Sequence, residues 1–91
     1  MRFNLTKQNS TKAERRFYEL LKQLDVEFKH RWLIKGREVD FVVGRYAIDI
    51  DGHEQDIGKN DLLVSEGYIP VHYHNNEIEK LKLKDIKYVF N

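Results

Sequence analysis

The chain has 91 residues, 41% of them hydrophobic and 12% aromatic, which suits one small packed domain over residues 1–91 and excludes a disordered polymer. Charged residues make up 34%, yet the net charge is only +1, so any basic footprint for nucleic acid has to be local. There is no cysteine, which excludes disulfides and thiolate metal sites and fits a reducing cytoplasm; no apolar run approaches a membrane span, and the opening Met-Arg-Phe-Asn-Leu-Thr does not read as a signal peptide.

Residues 1–9 are a polar lead-in, or arm, ahead of a helix predicted over 11–24. Ala13, Phe17, Leu20, Leu21 and Leu24 recur there at helical spacing. Glu14 stands three residues after Thr11, the spacing of a capping box, and that alone accounts for a first-turn acid. It also lies in register with Phe17, Leu21 and Leu24, so it borders the inward stripe, where a carboxylate is costly to desolvate. An extended segment over 26–34 follows, with His30 beside Trp32 on a strand face, and Lys35-Gly36-Arg37 forms a turn.

Residues 38–51 alternate strictly and are predicted as a β-hairpin around Gly44-Arg45, a pair that suits a type II′ turn. Val39, Phe41, Val43, Tyr46, Ile48 and Ile50 fall on one face, and Glu38, Asp40, Val42, Ala47, Asp49 and Asp51 on the other. In this register Val43 pairs with Tyr46, Asp40 opposes Asp49 and Glu38 opposes Asp51. Opposed residues have Cβ atoms about 4.5–5.5 Å apart, where like charges are destabilising. The ordinary reading of such acids is a solvated sheet face paired with Lys and Arg. Asp is depleted in strands, however, and the hairpin brings no basic residue onto this face. Oxygen-only ligands from Asp40, Asp49 and Asp51 suit Mg²⁺ or Mn²⁺ rather than zinc.

His53, Glu54, Gln55 and Asp56 follow the hairpin at the C-terminal end of a strand, where α/β sheets build sites. A helix over 57–66 ends at Gly67, and a strand over 68–73 returns. Strand–helix–strand implies a right-handed crossover and a parallel pair. His72 and His74 on that strand read as structural. The tail over 76–90 is mainly helical, with a short strand at 86–90 as the alternative. The sum is an α/β domain, a small mixed sheet of antiparallel hairpin plus parallel crossover strand, with helices on its faces.

Thr-Lys-Ala-Glu14-Arg-Arg-Phe, Arg-Glu-Val-Asp40-Phe-Val-Val, Ile-Asp49-Ile-Asp51-Gly52-His53 and the run from Lys59 through Glu-Gly67-Tyr68 to His-Tyr together resemble the PD-(D/E)XK nuclease superfamily. The branch it looks most like is the very-short-patch-repair endonucleases, with phage and intron homing endonucleases of the EDxHD type. The resemblance covers residues 11–78. It implies a restriction-endonuclease-like fold and a metal-dependent DNA endonuclease using Mg²⁺ or Mn²⁺ on double-stranded DNA, in the cytoplasm of a bacterium or phage-infected host. It implies Asp40 as the central metal-binding acid, Asp49 as the second acid of the motif, Glu14 as the helix acid and His53 as general base. Two departures stand out: Asp51 occupies the place of the motif's Lys in many relatives, and Gln55 the place of a His in some. Lys59 and Arg37 are the first candidates for phosphate contacts, with Arg15, Arg16, Lys35 and Arg45 behind them. A homodimer or an additional DNA-binding region would supply further contacts. The rival readings are a non-catalytic nucleic-acid-binding module on a degenerate nuclease fold, and a protein-interaction domain whose acidic face meets a basic partner.

Overall fold

The computed structural model describes residues 12–51 and 57–90, with the backbone alone at Asp51. The elements in chain order are α1 (Lys12–Leu24), β1 (Lys29–Ile34), β2 (Arg37–Val43), β3 (Tyr46–Asp51), α2 (Ile57–Ser65), β4 (Ile69–His74), α3 (Asn75–Lys80) and α4 (Leu83–Phe90). The strands form one sheet in the order β1-β2-β3-β4. β1, β2 and β3 pair antiparallel, and β4 joins β3 in parallel after the α2 crossover. The expected mixed sheet is therefore present.

Local chemistry fixes the turns. Lys35 (φ 50°) and Gly36 (φ 81°) both lie in the left-handed region, as the two-residue loop of a type I′ hairpin requires. In the next hairpin Gly44 has φ 59° while Arg45 does not share it, which is the type II′ pattern expected from the sequence. At the end of α2, Gly67 (φ 90°) closes a Schellman motif: Tyr68 N–H donates to Leu63 O at 2.9 Å and Gly67 N–H to Val64 O at 3.0 Å.

Two cores flank the sheet. On one face Ala13, Phe17, Leu20 and Leu21 of α1 meet Phe41, Val43, Ile48 and Ile50 of the sheet, with Ile78 of α3 and Ile86 of α4. Phe17 is its centre, fully buried with its ring 5.2 Å from that of Phe41 and 5.6 Å from that of Tyr73. On the other face Leu63 of α2 covers Ile34, Val39, Val42 and Ala47. No helix among the described residues is long and apolar enough to cross a membrane.

The structure bears out the helical reading of the tail, with α3 and α4 covering Asn75–Lys80 and Leu83–Phe90 and Ile86 buried in the α1 core. It corrects the sequence reading in three places. Strand β1 begins at Lys29 rather than 26, with Val26 and Phe28 packed against the α1 core ahead of the ladder. Val39 does not share a face with Phe41: the two lie in opposite cores, whereas residues two apart in a regular strand lie on one side. Finally, the β2–β3 ladder does not extend to Glu38 and Asp51 as a pair. Pairing of β2 with β3 runs Val43↔Tyr46, Val42↔Ala47, Phe41↔Ile48; beyond it Glu38 pairs with Leu33 of β1 and Asp51 with His74 of β4.

Candidate active site

The ladder between β2 and β3 stops where the acids begin. Ile50 N–H donates to Asp40 Oδ2 at 2.7 Å, and Asp40 N–H reaches Asp49 Oδ1 at 3.4 Å. Each strand thus bonds the other's region through an aspartate side chain instead of a carbonyl. Asp40 and Asp49, expected as an opposed pair, are linked in this form, while the paired register itself ends one step short of them at Phe41↔Ile48. Ile48 and Ile50 face the α1 core, so Asp49 between them faces the α2 side with Ala47. There Lys59, from the first turns of α2, places Nζ 2.8 Å from Asp49 Oδ2. The base missing from the hairpin is therefore supplied by a helix crossing its face.

Glu14 enters from the opposite layer. It is 3% exposed, held inward by the stripe it shares with Ala13 and Phe17. Its Oε2 accepts from His30 Nε2 at 2.7 Å, and its Oε1 lies 3.3 Å from Arg31 Nη2. The capping partner expected from sequence, Thr11, lies outside the described residues. His30 does more than fill a strand face. Its ring stacks on Phe41 at 4.7 Å and 12°, and Tyr18 lies 5.2 Å away, so the imidazole is fixed where it meets Glu14.

Asp40 is the electrostatic centre of this group. Burial pushes its carboxyl up from 3.8 to about 7, against the Ile50 N–H bond, which favours the charged form. The negative charges of Glu14 and Asp49 raise it further, and Lys59 pulls it down. A carboxyl surrounded by two others in a desolvated corner is an unfavourable place for a lone negative charge and a favourable one for a divalent cation. Mg²⁺ needs only one or two carboxylates and keeps its remaining waters, so Asp40 and Asp49 form a fitting donor pair. Among the described residues no three His, Asp or Glu side chains group as a ready metal cluster.

The other candidates divide. Asp51 ends β3 beside His74 in the sheet register, with its side chain outside the described residues, and His53 and Gln55 lie outside them altogether. Arg37 opens β2 opposite Ile34. Arg16 and Arg45 serve backbone: Arg16 Nε donates to Ile78 O at 3.0 Å and Arg45 Nε to Gly67 O at 3.4 Å. His72 pairs in register with Asp49, and its ring meets that of His74 edge-on at 5.4 Å. In the sequence reading His30 has only a place on a strand face and Arg31 has no role. The signal that could have found them is the need of a buried Glu14 for partners of opposite charge.

No protein-family model matches the chain, and no curated protein matches it. In three dimensions it is similar to the catalytic domain of the homing endonuclease I-Bth0305I. The two superpose with a TM-score of 0.67 at 24% identity, over 88% of this chain and 90% of that one. The chain therefore shares the fold of an endonuclease catalytic domain.

Proposed function

We propose that this protein is a Mg²⁺- or Mn²⁺-dependent DNA endonuclease of the PD-(D/E)XK kind, acting as the catalytic domain of a homing or repair-type enzyme. The observation that carries the reading is the convergence of Glu14, Asp49 and Lys59, from both layers and the sheet between them, on the Asp40 carboxyl, with Asp49 bonded both to Asp40 N–H and to Lys59 Nζ. The shared fold with an endonuclease catalytic domain supports it.

Asp40 and Asp49 would hold the cation, with Asp51 as a further ligand at the end of β3. Bound there, the ion would neutralise phosphate charge and lower the pKa of a water. Glu14 would accept a hydrogen bond from the attacking water and so orient it. Lys59, already beside Asp49, would lend its ammonium to the scissile phosphate, with Arg37 contacting the backbone further along. His53 would serve as general base, and Gln55 would take the part that a His plays in some relatives. A near-neutral chain of this size would need a second copy or another DNA-binding region for tight, specific binding.

Supercoiled plasmid incubated with the protein in Mg²⁺ or in EDTA, beside Asp40→Ala, tests the reading. Nicking that needs Mg²⁺ and vanishes in the variant is expected. Plasmid binding with no cutting in Mg²⁺ or Mn²⁺ would favour the non-catalytic module instead.

A further inference from the structure

Two neighbours in sequence, His30 and Arg31, hold the two oxygens of one buried carboxylate, Glu14. Consecutive side chains of a regular strand point to opposite faces. Both can reach Glu14 because Arg31 has φ 57°, an L-residue in the left-handed region inside a strand. Glycine, or less readily asparagine, is the usual occupant of such a position. The sheet registers the distortion at the same level on both strands. His30 pairs with Phe41 and Trp32 with Val39, but no pairing links Arg31 to Asp40 between them. This is also where Val39 and Phe41 part into opposite cores.

Arg31 is not placed there for its own comfort. Its side chain is 19% exposed, its Nε is buried without a hydrogen-bond partner among the described residues, and its second ion pair, to Glu38 Oε1, is long at 4.0 Å. The conformation thus costs backbone strain and leaves a guanidinium half-satisfied, while its principal contact is Glu14. Strain held in place by the surrounding structure concentrates where a functional group has to be aimed.

We propose that His30 and Arg31 are positioning residues that aim the Glu14 carboxylate at the Asp40 site. The inference rests on the endonuclease reading. His30 fixes one oxygen through an imidazole immobilised on Phe41, and Arg31 fixes the other from the distorted level of β1. Without either, Glu14 remains buried and present, but its rotamer is no longer set, and a small misplacement of a water-orienting group costs rate rather than substrate affinity.

The test uses the full chain, with single-turnover plasmid nicking in Mg²⁺, duplex affinity by fluorescence anisotropy in Ca²⁺, and thermal unfolding for each variant. His30→Ala and Arg31→Gly should each lose on the order of 100-fold in nicking rate at unchanged duplex affinity. His30→Gln, whose amide nitrogen can stand in for Nε2–H, should recover most of the rate. Arg31→Gly accepts the left-handed backbone, so it should fold, and its lost rate is then not a lost fold. Nicking by wild type with equal rates in His30→Ala and Arg31→Gly would overturn the positioning role alone. So would rate losses in those variants matched by equal losses of duplex affinity. No nicking by wild type would overturn the endonuclease reading and the positioning role with it.

Discussion

Asp40→Asn keeps the shape of the side chain and an oxygen for the Ile50 N–H, but removes a carboxyl that burial has pushed from 3.8 to about 7. Folded protein holds a proton at this position over a pH range in which the unfolded chain has released it. Between those two values the native state binds more protons, so the Asp40 contribution to stability is fully present below about pH 4 and is lost as pH rises through 7. A displacement of that size corresponds to about 4 kcal/mol between the two ends of the window. The D40N protein has no such titration. Its unfolding free energy relative to wild type should therefore climb from near zero at acid pH to as much as about 4 kcal/mol in its favour above neutrality. For a domain of this length that is a midpoint difference on the order of 15 °C or more. Urea or thermal denaturation of both proteins in EDTA, from pH 4.5 to 9, reads it, and taking the difference cancels the other titrating groups. Adding Mg²⁺ above neutrality should stabilise wild type and leave D40N unchanged, by about 2.7 kcal/mol at a hundredfold excess over the dissociation constant. Parallel pH curves for the two proteins would refute the buried, proton-holding Asp40.

Three further outcomes follow from the same geometry. Glu14→Gln removes a negative charge that raises Asp40, so the Asp40 carboxyl should titrate lower, as read by carbon-detected NMR of the side chain. Lys59→Met removes the ammonium that lowers Asp40 and pairs with Asp49; the acid limb of the Mg²⁺-dependent nicking profile should move to higher pH, with a rate loss of roughly 100-fold or more. Phe17→Ala empties the centre of the α1 core and should cost about 3–5 kcal/mol by urea denaturation, enough to bring a domain of this size close to unfolding at 37 °C.

Much of this architecture is written locally. Gly44 and Gly67 each stand where a positive φ is needed, and the alternation from Phe41 to Ile50 sets the face of each side chain. Those are short-range constraints, and they place Asp40 and Asp49 together. The rest depends on elements meeting from afar. Lys59 reaches Asp49 only because α2 crosses that face of the sheet. Burial of Glu14 follows from its helical stripe, but its partners come from β1, one of them through a backbone conformation that arginine has no intrinsic preference for. That distortion moves Val39 to the far core, which period-two alternation could not foresee because it assumes an unbroken strand. Asp51 shows the complementary limit: its opposition to Glu38 came from extending the hairpin ladder, which the Asp40 side chain interrupts at Ile50.

The measurement that bears most directly on the endonuclease reading is cleavage of duplex DNA in ¹⁸O-labelled water with Mg²⁺. The result expected is one labelled oxygen in each newly formed phosphate end, with no product in EDTA or from Asp40→Ala. No cutting by wild type in Mg²⁺ or Mn²⁺, or equal cutting by Asp40→Ala, would contradict it.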